Sequence, residues 1–190
     1  MEVLPELKER RSYRAISSEP VEKDVVARLL TAATLAPSCF NNQPWRIIVV
    51  QKAPDNPHYP LVAATLSQGN FWALEAPLLF VFATGTHLDC RLDEGRDYAY
   101  FDVGQAAMAM QLQAQKEGLY AHPIAGYSAP KLRLALKLPP EYLPLCTLVV
   151  GWPGDAGKLP ENLRTAENAP RSRKMLGEVA YAEYFGNSWQ

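Results

Sequence analysis

The sequence predicts an α+β protein, with residues 1–190 forming one domain. Short apolar runs of strand length alternate with helical stripes of apolar and small residues, and no regular βαβ beat links them. Residues 4–11 read as a short helix. A longer helix follows Pro20, with Val25, Leu29 and Ala33 on one stripe and Val26 and Leu30 beside it. It stops at Ala36, because a residue before proline is pushed out of the α region. Residues 45–50 form a β-branched strand, 60–67 a helix and 78–82 a buried strand. The clearest helix spans 98–117, where Ala99, Val103, Ala106, Ala107, Met110 and Ala114 recur at helical spacing and Gly118 supplies the stop. Ser128 is placed to cap a helix over 129–137, and 145–152 is a third apolar strand. Residues 153–170, rich in Pro, Gly and Asn, read as a long surface arm, and a last helix covers about 174–182.

Composition narrows the function classes. A chain of 190 residues that is 48% hydrophobic and 21% charged can bury roughly 70% of its extended surface. Nineteen Lys and Arg against twenty Asp and Glu give a net charge of −1, without the basic excess of a nucleic-acid binder. No apolar run reaches 18 residues, so no spanning helix is expected, and the acidic N-terminus has no signal-peptide core. Cys39, Cys90 and Cys146 are odd in number and widely spaced. They read as reduced cytoplasmic thiols and not as a disulfide frame or zinc site. His58, His87 and His122 are isolated, so no metal site is expected. The chain has no phosphate-binding Gly loop, no dinucleotide fingerprint and no nucleophile elbow. If it is an enzyme, a cofactor carries the reactivity.

Three stretches do carry chemistry. The first, Arg10-Arg11-Ser12-Tyr13-Arg14, gathers three guanidinium forks and a hydroxyl, a donor set suited to a phosphate dianion; a solvated helix end would look the same. In the second, Pro37-Ser38-Cys39-Phe40-Asn41-Asn42-Gln43-Pro44, prolines fix the path of a polar connector. Its amides suit the imide edge of a flat heterocycle, although Asx turns explain part of it. The third pairs Pro123-Ile124-Ala125-Gly126, where a glycine among small residues admits a ligand ring to the backbone, with Arg171 and Arg173, which point the same way if extended. A strand–turn and an exposed basic tail are the plain alternatives.

Together these stretches resemble the nitroreductase family of flavoproteins. The resemblance rests on Arg-Arg-Ser-x-Arg, Ala-Pro-Ser-x-x-Asn-x-Gln-Pro-Trp, Phe-Asp-x-Gly-Gln-Ala with its Gly-Leu end, Pro-Ile-x-Gly and Arg-x-Arg-Lys, in that order over residues 6–189. It implies a mixed central sheet flanked by helices, an intertwined homodimer and FMN bound between subunits. Arg10, Arg11, Ser12 and Arg14 would hold the phosphate, ribityl chain and flavin edge, with Arg171 and Arg173 completing the phosphate clamp. Pro37, Ser38, Cys39 and Asn41 would come from the partner subunit, and Pro123, Ile124, Ala125 and Gly126 would line the ring and offer a backbone N–H to N5.

The implied chemistry is a ping-pong hydride transfer from NADH or NADPH through flavin N5 to a nitroaromatic, a quinone or a similar flat acceptor. No protein acid or base is required. Cys39 and Phe40 stand where many members carry Ser and a small residue, and Asn70 falls in a segment where many carry Lys or Arg. Two other classes compete. One is a non-reductase protein that binds or processes flavin on the same fold. The other is a Cys39 nucleophile with His122 as its base.

Overall fold

A computed structural model describes residues 2–189. It contains two compact units, one running through Leu159 and one beginning at Pro160. In the first unit β1 (Arg46–Gln51), β2 (Leu78–Thr84), β3 (Tyr120–Ile124) and β4 (Leu143–Gly151) form one sheet in the order β1-β2-β4-β3. Every neighbouring pair is antiparallel. All seven residues of β2 are buried, which is why its sequence shows no polar alternation. Opposite Phe82 and Ala83 the register skips from Cys146 to Pro144. This bulge puts the residue without an N–H beyond the last β3–β4 pair, where no ladder bond is lost.

Around the sheet lie α1 (Pro5–Glu9), α2 (Lys23–Thr34), α3 (His58–Ala63), α4 (Tyr98–Lys116) and α5 (Ala129–Ala135). The helix α4 packs on β2, β3 and β4, and α2 packs on α4. Val25, Val26, Leu29 and Ala33 of α2 meet Val103, Ala106, Met110 and Ala114 of α4 over Phe80, Phe82, Leu148 and Val150. On the other side α5 lies against β4 and α3 against β1 and α5. The expected stop of α4 takes a definite form. Gly118 sits at φ +80, its N–H donates to Gln115 O, and Leu119 N–H donates to Ala114 O at 2.8 Å. These paired bonds close the helix, and the left-handed residue between them favours glycine. Just before it, Glu117 receives Arg28 of α2 through two bonds of 2.7 and 2.9 Å. The Arg28 bond, helped by Gln113, holds the Glu117 carboxyl down at about 2.

The second unit departs from its sequence reading. Within the expected surface arm, Glu161–Asn168 forms a helix, α6. Its sequence, Glu-Asn-Leu-Arg-Thr-Ala-Glu-Asn, carries no apolar stripe, so periodicity could not reveal it. The last helix, α7, is only Leu176–Val179. The Glu178 carboxylate accepts the Met175 N–H at its start, and the chain then turns back so that Trp189 N–H reaches Ala180 O. In the first unit Ser128 does stand ahead of α5, but its side chain makes no capping bond.

Residues 10–17, which include the arginine cluster, are docked on the sheet. The Tyr13 ring stacks on Tyr120 with centroids 4.3 Å apart, and the Tyr13 carbonyl lies 3.0 Å from His122 Nδ1. A carbonyl only accepts, so Nδ1 carries the proton. Farther on, Ser17 N–H donates to Trp152 O and Gly154 N–H to Ala15 O, each at 2.8 Å, around the Ile16–Pro153 bridge. A Cβ on Gly154 would stand 2.8 Å from the backbone of both Ile16 and Ser17. Gly154→Ala is therefore expected to lower stability by ~1–3 kcal/mol, read as a lower urea midpoint at unchanged slope.

His122 yields a pH prediction. Burial pushes its imidazole down to about 4, with Arg14 and Arg10 pushing the same way and the Tyr13 bond opposing. From the ordinary value of 6.5 down to about 4, the unfolded chain binds a proton here that the folded chain refuses. Stability then falls as pH falls through that window, by up to ~3 kcal/mol. His122→Asn, whose amide can still reach the Tyr13 carbonyl, should flatten that part of a pH series of urea midpoints.

Candidate functional site

The docked N-terminal segment brings two of the sequence-derived stretches together. Arg10 Nη1 reaches Gln111 Oε1 of α4 at 3.4 Å. The Arg11 guanidinium lies 5.3 Å from the Tyr13 ring centroid, a cation–π distance. Arg10 and Arg14 both act electrostatically on His122, the residue before Pro123. The arginine cluster thus borders the edge strand that carries Pro123 and Ile124. Proline is tolerated there because edge strands leave N–H positions unpaired. Ser12 is exposed, Pro123 half-buried, Ile124 buried and Ala125 exposed at the strand's end.

Gly126 lies close under two polar side chains. A Cβ there would stand 2.3 Å from Asn70 Nδ2 and 2.6 Å from Ser67 Oγ. Its carbonyl accepts Ser67 N–H at 2.9 Å and the Asn70 amide at 3.0 Å. Asn70 is thereby committed to holding this turn. Beside it the Trp72 ring lies 4.6 Å from that of His122. The buried Trp72 indole N–H has no acceptor among the described residues. The neighbourhood is rich in donors, and its one imidazole is uncharged at neutral pH.

The connector is built differently. Phe40, Asn41 and Gln43 all have left-handed backbones, at φ 48, 58 and 48, each costing roughly 1–2 kcal/mol for a residue with a side chain. Local bonds offset that strain. Ser38 O accepts Asn41 N–H and Ser38 Oγ accepts Gln43 N–H, each at 3.0 Å. The Cys39 N–H donates at 2.7 Å to the buried carboxylate of Asp102 in α4, which Gln105 also reaches at 3.0 Å. The Phe-Asp-x-Gly-Gln-Ala motif therefore has a structural role, since its Asp and Gln anchor the connector. Burial raises the Asp102 carboxyl, the Cys39 N–H lowers it and neighbouring Asp89 raises it further. Held this way, the turn presents Phe40 at 90% exposure.

The thiols were not legible from spacing. Cys39, Cys90 and a carboxylate oxygen of Asp89 converge, all within 4.8 Å of one another. The hydrogen bond with Cys90 comes first, then burial, among the causes that push the Cys39 thiol up to about 11. A thiol pushed up in this way is a poor nucleophile, which weighs against a Cys39–His122 pair.

Within one chain the connector and the arginine cluster stay apart. Their anchors on α4, Asp102 and Gln111, are nine residues from each other, about 14 Å along the axis. Pro37 and Asn41 are exposed and Ser38 half-buried. In the second unit Arg171 and Arg173 lie exposed in an extended segment, where Arg173 Nη1 donates to Ser172 O at 2.6 Å. No helix of the described residues is long and apolar enough to cross a membrane.

Comparison with known proteins follows the same residues. The model of the nitroreductase family matches residues 7–69 and 57–152. A Rhodospirillum rubrum protein named 5,6-dimethylbenzimidazole synthase is 27% identical over 88% of this chain and 89% of its own length. The Bacillus subtilis FMN reductase [NAD(P)H] is 28% identical over 81% of this chain and 67% of its own. Among solved structures, an oxidoreductase containing FMN superposes with a TM-score of 0.88 at 29% identity, covering 99% of this chain and 95% of that one. With a sheet, a connector and an arginine segment that all fall inside the matched residues, the chain belongs to the nitroreductase family.

Proposed function

We propose that the protein binds FMN and works as an NAD(P)H-dependent oxidoreductase on nitroaromatic, quinone or similar flat acceptors. The observation that carries this reading is the Arg10–Arg14 segment held against β3 beside Pro123 and the Gly126 turn. Guanidinium groups and an unpartnered indole N–H suit a ligand that is anionic at one end and rich in acceptors. The donor set therefore fits FMN. The relatives named as FMN-containing or FMN-reducing support the same cofactor.

When bound, FMN supplies a centre that accepts hydride from NADH or NADPH and passes it to the acceptor in a ping-pong exchange. The chain's own residues bind and orient. Arg10, Arg11 and Ser12 are assigned to the phosphate and ribityl groups, and Arg171 and Arg173 are assigned to the phosphate on the Arg-x-Arg-Lys motif. Arg14 supplies a fixed positive charge that stabilises negative charge arising on the ligand edge. His122 keeps its proton on the Tyr13 carbonyl and adds no charge. Pro123, Ile124, Ala125 and Gly126 give the ring a narrow, mostly apolar wall with backbone N–H groups.

The connector residues Pro37, Ser38, Cys39 and Asn41 are assigned to the partner subunit's flavin in a homodimer. Their separation from the arginine segment along α4 supports two half-sites per chain. On this reading residues 1–190 serve as one flavin-binding domain in a cytoplasmic protein.

Mixing yellow, FMN-loaded protein anaerobically with NADH or NADPH should bleach it, and a nitroarene or quinone should restore the colour. Colourless protein that gains no flavin absorbance with added FMN would sink the reading. No bleaching would favour the alternative, a non-reductase protein that binds or processes flavin on the same fold.

Replacing both Arg11 and Arg173 by Ala removes two charge-assisted contacts. That costs about 3 kcal/mol and weakens FMN binding roughly a hundredfold. Flavin fluorescence titration at moderate salt measures it, and unchanged affinity would place the phosphate elsewhere.

A further inference from the structure

We propose that Cys39, Cys90 and Asp89 bind one thiophilic divalent cation of the Zn2+ type. The site would join the connector to the loop that precedes α4. It does not depend on the flavin reading, because all three ligands come from one chain and the bonds that hold them are intramolecular.

Two sulfurs and a carboxylate oxygen already lie within 4.8 Å of one another. Bonds of about 2.3 Å to sulfur and 2.0–2.2 Å to oxygen bring tetrahedral ligand atoms to within ~4 Å, so small side-chain rotations complete the set. The backbone beneath is fixed on both sides. Cys39 N–H is held by Asp102 at 2.7 Å. On the facing loop, Cys90 N–H donates to Asp89 Oδ1 at 2.7 Å, and Cys90 O accepts Tyr98 N–H at 3.1 Å, at the start of α4. The Asn42 amide spans the two segments, 3.0 Å from Asp89 Oδ1 and 3.7 Å from Cys90 Sγ.

Asp89 supplies the independent sign of a missing ligand. Its Oδ1 takes two donors, whereas Oδ2 is fully buried and takes none among the described residues. The Asp102 carboxyl lies in hydrogen-bond contact with that of Asp89, and a cation bound at the Asp89 carboxylate offsets the crowding of the two. Two sulfurs disfavour Mg2+ and Ca2+, which take oxygen ligands, and favour Zn2+-like ions. On binding, each thiol loses its proton to water and the sulfur bonds the metal as thiolate. Three protein ligands leave a fourth position for water. The bonds from Cys90 N–H and Asn42 to Asp89 orient the carboxylate as outer-shell bonds do in metal sites.

The test uses the full chain, stripped with chelator and kept reduced. Zn2+ is titrated in competition with a chromophoric chelator, and Cd2+ is followed by its ultraviolet thiolate-to-metal absorption. One equivalent per chain is expected, with that absorption. Cys90→Ser and Asp89→Asn should each weaken binding by about 10–100-fold, and Cys90→Ser should halve the Cd2+ band. Cys146→Ser, which alters a thiol in β4, should leave both unchanged. Thermal unfolding confirms that each variant is folded, and Asp89→Asn keeps the thiol pair intact. Wild-type protein that binds no more tightly than Cys90→Ser, or that shows no thiolate band, overturns the proposal. So does a reduced protein that ignores metal but forms a Cys39–Cys90 disulfide in air, which would make the pair a redox couple instead.

Discussion

The seat of α4 on the sheet is the constraint on which the candidate site depends. Ala99, Val103, Ala106, Ala107, Met110 and Ala114 are all buried, and the four alanines among them let the helix settle against β2, β3 and β4. That packing puts two polar side chains of the same helix into positions where water cannot serve them. Asp102 is 1% exposed and Gln111 7%. Each must find a protein partner or cost about 1–3 kcal/mol. Asp102 finds the backbone N–H of Cys39 and Gln111 finds Arg10. Packing therefore dictates where the connector and the arginine segment attach.

The same logic explains why the connector tolerates three left-handed residues. Their combined strain is several kcal/mol, more than one ordinary hydrogen bond returns. It is offset by a set of bonds that share residues: Ser38 through its carbonyl and its hydroxyl, Cys39 through its N–H to the Asp102 carboxyl. The turn is thus over-determined, and its one large apolar side chain, Phe40, is left facing outward. An aromatic ring held on so rigid a turn has little conformational entropy left to lose on meeting another surface.

Much of this was legible in the sequence, and what was not has physical reasons. The strands were readable because β2 is buried along its whole length. The helix α4 was readable because its buried face repeats at 3.6 residues and ends in Gly118. The connector announced itself through its prolines and amides, although only the structure shows that Asp102 and Gln105 anchor it. The helix α6 was invisible, since it buries Glu167 and otherwise exposes polar residues. The meeting of Cys39 with Cys90 was equally invisible, for no local spacing marks a contact between two loops that α4 brings together. The bond from Asn70 to the Gly126 carbonyl was equally hidden, because it depends on tertiary closeness alone.

Electrostatics ties these pieces into one argument. The chain carries almost no net charge, yet Arg10, Arg11 and Arg14 fall within five residues. Concentrating like charges in one segment is unfavourable unless the surroundings avoid adding more. His122 lies against the segment, its Nδ1 bonded to the Tyr13 carbonyl. Burial and the two arginines keep it neutral, while its Nδ1 proton fixes the Tyr13 carbonyl. The imidazole therefore acts as a hydrogen-bonded spacer that positions the cations without repelling them. A lysine there would add a charge and a leucine would lose the bond. The local excess of positive charge is thus available for an anionic ligand, and a protein of net charge −1 can hold a phosphate without attracting polyanions at large.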